Sequence, residues 1–302
     1  MVTILDGGMG QELVARARST PTSLWGAQVM VDDPRLVREI HDDYFAAGAE
    51  IATANTYTLR RDRLGQYGLN DRFFELHALA CKMACDARDA HGSGLVAGAA
   101  GPITQSYVAD AGPPRAEAAA LFDEVARAQA PYVDLFIAET VPSLARGEAT
   151  LDGLEGHGKP VWLAVTVDDT DGSKLRSGEP VEAALEMAVR RGAGAFLINC
   201  SWPEAVTQAL EAVRGAAVPL GAYANGFTKI PEGFKQAKST VSLLEARKDL
   251  TPEVYAGFAA RWAELGATII GGCCEVGPAH IAAVTRRLKP GGTAVDRPAT
   301  HA

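Results

Sequence analysis

The chain has 302 residues, 47% of them hydrophobic, and a formal net charge of -8, so it can bury a core of domain size. No run of Lys and Arg offers a phosphate-tracking surface, which excludes nucleic acid as an expected partner. The opening MVTILDGGMG lacks a basic stretch followed by an apolar one, and no apolar run is long enough for a bilayer, so neither a secretory leader nor a membrane partner is expected.

In chain order, short runs rich in Val, Ile, Leu and Ala predict strands at Thr3–Leu5, Glu50–Ala54, Leu95–Ala99, Val133–Ala138, Val161–Val165, Ala195–Ile198, Pro219–Tyr223 and Thr268–Gly271. Helical patterns lie between them. Leu36–Ala47 follows Pro34, Arg72–His91 has apolar residues at helical spacing, and Ala116–Ala130 is Ala-rich with charge on one side. Pro180–Arg191, Pro203–Arg214, Pro252–Leu265 and Pro278–Leu288 each start on proline, which suits a first helical turn, and Gly48, Gly192 and Gly266 close helices ahead of strands. The connection from Asn225 to Lys248 mixes Gly, Pro and Lys and has the length of a lid or interface segment. The tail 290–302 lacks apolar periodicity and is expected to be disordered.

Strand and helix alternating in this way predict parallel pairing with right-handed crossovers, and the count fits a single-domain (β/α)8 TIM barrel over residues 1–289. The rival is an open doubly wound sheet. It would usually carry a Gly-rich phosphate loop after the first strand, and LDGGMGQEL lacks G-x-G-x-x-G. In a barrel the chemistry sits just past the C-terminal ends of the strands. Those ends read Asp6-Gly7-Gly8, Asn55-Thr56-Tyr57, Gly101-Pro102, Glu139-Thr140, Thr166, Asn199-Cys200, Asn225 and Gly272-Cys273-Cys274. They are small, polar or metal-binding types gathered at one edge of apolar strands.

The five cysteines are an odd number without the spacing of a disulfide scaffold, which fits a reducing cytoplasm. Cys200 ends one predicted strand and Cys273 and Cys274 end another, so three thiols can meet at one mouth. Three thiolates and an open position describe a catalytic zinc site. The spacing alone leaves two other readings open: a vicinal disulfide, or two inert thiols facing opposite ways. Gly271 and Gly272 are read as giving the backbone freedom to turn sharply behind the pair. Cys81 and Cys85 share a helix face and read as packing. His280, in the first turn of a helix, reads as an outlying residue rather than a fourth ligand.

At these residues the sequence resembles the homocysteine S-methyltransferase family. The matching segments are LDGG at Leu5–Gly8, LW at Leu24-Trp25, ANTY at Ala54–Tyr57, ET-P at Glu139–Pro142, INC at Ile198–Cys200 and GGCC with P-H-I at Gly271–Ile281. Each is short, and their order and spacing together carry the specificity. The resemblance implies a zinc-bearing barrel that methylates the thiol of homocysteine. It implies Zn2+ on Cys200, Cys273 and Cys274. Asp6, Gly7 and Gly8 match the segment that receives the amino-acid end of the substrate. Glu139 is the candidate catalytic residue, matching the acid that holds the homocysteine ammonium.

A free thiol is mostly protonated at neutral pH, and zinc favours the attacking thiolate. A cationic methyl donor is attracted by aromatic faces; Trp25 and Tyr57 are candidates and Tyr223 a weaker one. Asn55 and Asn225 are read either as loop supports or as contacts to the substrate. The sequence departs from the family pattern at Ala224–Phe227, after the seventh strand, and at Glu275, an acid beside the cysteine pair. No segment resembles a cobalamin- or folate-binding module, so the expected partners are small molecules. S-methylmethionine or S-adenosylmethionine is favoured as donor over betaine, because the chain has no evident extra C-terminal arm. The rival functions are a zinc hydrolase on the same barrel and a non-enzymatic zinc- or redox-sensing protein.

Overall fold

The computed structural model describes residues 2–17, 24, 26–103, 105–109, 111–235 and 243–290. Trp25, residues 236–242 of the long connection and residues 291–302 of the tail lie outside the described residues.

Eight strands appear where the sequence places them: β1 (Thr3–Ile4), β2 (Ile51–Thr53), β3 (Leu95–Ala100), β4 (Leu135–Val141), β5 (Val161–Val165), β6 (Ala195–Asn199), β7 (Leu220–Tyr223) and β8 (Ala267–Ile270). All named pairs are parallel, in the order β1-β8-β7-β6-β5-β4-β3-β2. The ring closes where β1 meets β2, through a parallel bridge from Leu5 to Ile51, with Glu50 N–H donating to the Ile4 carbonyl at 2.7 Å. This is a (β/α)8 TIM barrel. The open sheet is excluded, because it would leave β1 and β2 as unpaired edges.

Strand periodicity sorts the side chains into two cores. On β4, Leu135 and Ile137 belong to the cluster that fills the barrel, while Phe136 and Ala138 pack outward against the helices. On β6, Ala195 and Leu197 face in, and Phe196 and Ile198 face out. The inward series therefore continues to Glu139 and Asn199, which carries both polar side chains to the mouth.

The seven expected helices are present, with ends shifted by one or two residues. Pro34, Pro203, Pro252 and Pro278 occupy first-turn positions. Pro180 instead is the cap, with ψ 140°, and its helix starts at Val181. Among the described residues four further α-helices, Met9–Arg16, Gly26–Asp32, the single turn Arg61–Leu64 and Leu144–Leu154, escape the sequence pattern. The last of these contains Gly147 and Gly153, which usually argue against a helix interior. Here they are sites of close approach: a Cβ on Gly153 would lie 2.4 Å from the Ala119 carbonyl oxygen of the neighbouring helix.

Candidate active site at the barrel mouth

At the C-terminal end of the barrel a cavity of about 110 Å3 is lined by Asp6, Tyr57, Tyr107, Glu139, Cys200, Tyr223, Cys273 and Cys274, among others. A larger open depression of about 1140 Å3 lies at the opposite end, lined by the starts of strands at Thr3, Leu95, Trp162 and Thr268. It contains no thiol, and the N-terminal face of such barrels serves stability rather than chemistry.

The sulfurs of Cys200, Cys273 and Cys274 all lie within 4.8 Å of one another, close enough to ligate one ion. Cys273 Sγ is 2.9 Å from Cys200 Sγ and 4.0 Å from Cys274 Sγ. No other His, Cys, Asp or Glu joins the cluster among the described residues. Hydrogen bonds from Cys273 and then Cys274 push the Cys200 thiol well below its usual range against the opposing effect of burial; Cys273 and Cys274 go up. Cys81 is buried and its thiol pushed up by burial, and Cys85 donates to the Tyr132 carbonyl at 3.2 Å. Both are parts of a packed helix face.

The turn that presents the cysteine pair differs from its sequence reading. Gly271 and Gly272 have no left-handed backbone; the positive φ belongs to Glu275, at 65°. The glycines are there for space. A Cβ on Gly271 would meet the Leu5 Cβ at 2.4 Å, and one on Gly272 the Val276 Cγ1 at 2.2 Å.

The non-glycine residues with positive φ among the described residues are Tyr107, Thr140, Cys200 and Glu275. All lie at the mouth, and such conformations cost ~1–3 kcal/mol unless their surroundings hold them. Cys200 sits where β6 ends, and its φ of 48° turns the chain so that its sulfur reaches Cys273. Thr140 lies in a register shift of β4 between Ala138 and Val141, and such a bulge re-aims the neighbouring side chain, here Glu139.

Glu139 accepts a hydrogen bond from Tyr223 Oη at 3.1 Å. Burial pushes its carboxyl up to about 8, the tyrosine opposes this, and Asp6 and Cys200 add to the rise. Asp6 accepts from Thr53 N–H at 2.6 Å and from Thr53 Oγ1 at 2.9 Å, yet burial still lifts it to about 7. Two acids raised by burial in one cavity are suited to receive a cation.

The remaining expected residues take distinct places. Gly8 N–H donates to the Val276 carbonyl at 3.0 Å, and a Cβ on Gly7 would lie 2.1 Å from that same oxygen. This glycine pair packs against the cysteine loop. The N–H groups next in line belong to the first turn of the helix Met9–Arg16, whose Met9, Gly10 and Gln11 line the cavity. Asn55 Nδ2 donates to the Gly26 carbonyl at 3.1 Å, and Asn225 Oδ1 accepts from Phe227 N–H at 3.2 Å, so both support loops. Asn225 also places Nδ2 4.0 Å from Cys200 Sγ. Tyr57 Oη pairs with Ser106 Oγ at 2.8 Å, and the ring of Tyr223 belongs to the inner core. His280 lies away from the sulfurs: it accepts from Gly277 N–H at 3.2 Å and meets the Leu250 carbonyl at 3.1 Å. Of the long connection, Phe234 packs with Tyr107 and Cys200 beside the thiols.

Two residues of the site carried no assigned role in the sequence. Tyr107 Oη lies 2.9 Å from Cys200 Sγ, and the Arg176 guanidinium, paired with Asp169, sits 5.2 Å from its ring centre. Tyr107 lies well past the end of β3, beyond the reach of a strand-end rule. Asn199 stood at a strand end and inside a motif, which was signal enough to single it out. Its Oδ1 accepts from Thr140 N–H at 3.1 Å and its Nδ2 donates to Thr140 Oγ1 at 3.0 Å.

Residues 3–288 match the profile of a family described as homocysteine S-methyltransferase. The homocysteine S-methyltransferase of Escherichia coli K12 is 30% identical over 95% of each chain. Homocysteine S-methyltransferase YbgG of Bacillus subtilis is 27% identical, again over 95% of each. The crystal structure of the E. coli homocysteine methyltransferase MmuM in its metallated form superposes with a TM-score of 0.80 at 28% identity, covering 95% of this chain and 96% of that one.

Proposed function

The chain belongs to the homocysteine S-methyltransferase family, and on that premise we propose that it transfers a methyl group from a small cationic donor to the thiol of homocysteine, giving methionine, with zinc on Cys200, Cys273 and Cys274. The observation that carries this reading is the convergence of three sulfurs and two buried acids in one small cavity.

The donor set fits zinc. With Zn–S distances of about 2.3 Å, tetrahedral geometry separates two sulfurs by roughly 3.8 Å. Cys273 and Cys274 are 4.0 Å apart, and Cys200 and Cys273, at 2.9 Å, need only to part slightly. A zinc ion bound there would supply a Lewis acid that favours the thiolate form of the substrate sulfur.

The chain's own residues do the positioning. Glu139 and Asp6 receive the ammonium, which restores their ionised forms. The first turn of the helix Met9–Arg16 takes the carboxylate, where exposed N–H groups and the helix dipole favour an anion. Strained Cys200 and bulged Glu139 fix the distance between the sulfur site and the ammonium site. The sulfur–methyl bond then forms as the donor's bond to that methyl breaks, with the electron pair leaving on a neutral product. We propose a sulfonium donor, S-methylmethionine or S-adenosylmethionine, ahead of betaine, because a thioether is a better leaving group than a tertiary amine. The all-sulfur ligand set disfavours the hydrolase reading, since hydrolytic zinc sites more often use His and carboxylate. Five free cysteines support a reducing, cytoplasmic setting. No helix among the described residues is long and apolar enough to cross a membrane. We also propose residues 1–289 as one domain.

The test is a donor panel. Zinc-loaded protein with homocysteine should yield methionine from S-methylmethionine or S-adenosylmethionine, and betaine should be the poorest donor. No methionine from any donor, with zinc present, contradicts the assignment.

A further inference from the structure

Glu275 holds one of the strained backbone conformations at the mouth, with φ 65°, directly after the cysteine pair. Nothing in the methyl-transfer reading uses it. Its surroundings are nevertheless built for it. Gln11 Nε2, on the helix Met9–Arg16, donates to Glu275 Oε1 at 2.6 Å. On the other side lies Gly226, in the loop after β7, where a Cβ would approach the Glu275 Cβ to 2.9 Å. Gly226 N–H donates to the Cys274 carbonyl at 2.9 Å. Glu275 is thus seated between the loop that follows β7 and the helix that follows the Asp6-Gly7-Gly8 segment.

Two backbone bonds run parallel to the side-chain tie: Gly272 N–H to the Asp6 carbonyl at 2.9 Å and Gly8 N–H to the Val276 carbonyl at 3.0 Å. They bind the two segments at their bases. The Gln11–Glu275 bond is a side-chain bond across the same two segments, at the residue whose backbone is strained. A left-handed conformation at a residue with a Cβ persists only when its surroundings over-determine it.

We propose that the Gln11–Glu275 pair is a positioning strut: by holding Glu275 in its left-handed conformation it keeps the Cys273 and Cys274 sulfurs turned toward Cys200, and so sets how firmly the site retains its metal. This rests on the reading of the three cysteines as metal ligands. Without the strut, the turn relaxes and two of three ligands swing away together. The residues that build it, Gln11, Glu275 and Gly226, come from three separate loops or helices and include both places where the sequence departs from the family pattern. The strut also joins the amino-acid end of the substrate site to the metal loop, since Gln11 lines the cavity.

The test is the rate at which zinc passes from the loaded protein to a chromogenic chelator, measured without substrates. Gln11→Ala and Glu275→Ala should each speed release by roughly tenfold, the loss of about one charge-assisted hydrogen bond. The double variant should release no faster than either single one, because both remove the same bond. Glu275→Gln keeps a neutral acceptor for Gln11 and should release zinc more slowly than Glu275→Ala, between it and the wild type. Glu275→Gly removes the bond together with the strain that the bond opposes, so it should release zinc more slowly than Glu275→Ala. The melting temperature of the metal-free Gln11→Ala protein should match the wild type, which separates the strut from general support. If Glu275→Ala does not fold, Gln11→Ala and Glu275→Gln decide between them. A wild-type rate in Gln11→Ala, or singles that multiply in the double variant, overturns the strut. A wild-type chain that binds no zinc overturns the metal reading itself.

Discussion

One side chain, Asn199, grips Thr140 at both ends, accepting from its amide at 3.1 Å and donating to its hydroxyl at 3.0 Å. Asn199 directly precedes Cys200, and Thr140 directly follows Glu139. Cys200 and Glu139 are therefore fastened through their neighbours, and the strained φ of 56° at Thr140 has its support. Asn199→Ala leaves a buried amide N–H without a partner, which costs ~1–3 kcal/mol. Urea unfolding should show a loss of that size. The KM for homocysteine should rise by about tenfold or more as Glu139 loses its aim, while bound zinc stays near the wild-type level.

Glu139 and Asp6 also predict how ligand binding depends on pH. Their carboxyls sit at about 8 and about 7 in the folded protein, raised first by burial. Below those values they are protonated and bind an ammonium poorly, so affinity should rise as pH rises from 6 to 8. The steepest expected change is about tenfold per pH unit for each group that must ionise. Methionine is the ligand to use, because its thioether does not titrate. Its dissociation constant, followed by calorimetry, should fall across this range. In Glu139→Gln the dependence should flatten and affinity at pH 8 should drop. A profile flat from pH 6 to 8 in the wild type would refute the two-acid account.

His41 gives an independent prediction about stability. It is fully buried on the helix Pro34–Ala46, and neither ring nitrogen has a hydrogen-bond partner. Burial, helped by Arg38, pushes its pKa from 6.5 down to about 3. The folded state thus binds fewer protons than the unfolded one between these values. Stability is full above pH 6.5 and is lost as pH falls toward 3, by ~2 kcal/mol at pH 5. His41→Leu removes both this loss and an unsatisfied pair of polar atoms. Urea midpoints should show the variant gaining more at pH 5 than at pH 7.5. His77, pushed down to about 4 by burial, leaves a residual acid sensitivity in the variant.

Much of this site can be seen in the sequence because parallel strands all end at one face. Asp6, Glu139, Cys200, Cys273 and Cys274 are scattered over most of the chain, yet each stands just past an apolar run, and that alone brings them to one mouth. What strand periodicity cannot carry is the sign of φ. The turns at Cys200, Thr140 and Glu275 use residues that rarely go left-handed, so glycine was the natural place to look, and Gly271 and Gly272 turn out to serve close packing. Tyr107 escaped for a related reason: it reaches Cys200 from deep within a loop, where no period operates. The helix Leu144–Leu154 escaped because its two interior glycines answer to a neighbouring helix and to the Met187 side chain, contacts that no local pattern records.

Tyr107→Phe keeps the ring under Arg176 and removes the hydroxyl beside Cys200 Sγ. With cobalt(II) in place of zinc, the sulfur-to-metal charge-transfer band should move to lower energy, because a hydrogen bond to sulfur stabilises the donating lone pair. A band unchanged by the substitution would show that the hydroxyl does not act on the bound sulfur.

The central claim is that Cys200, Cys273 and Cys274 together hold the metal. Zinc content of the purified chain and of its Cys200→Ala variant tests it most directly. The account predicts one zinc per wild-type chain and loss of that zinc in the variant; full zinc retention in Cys200→Ala would contradict it.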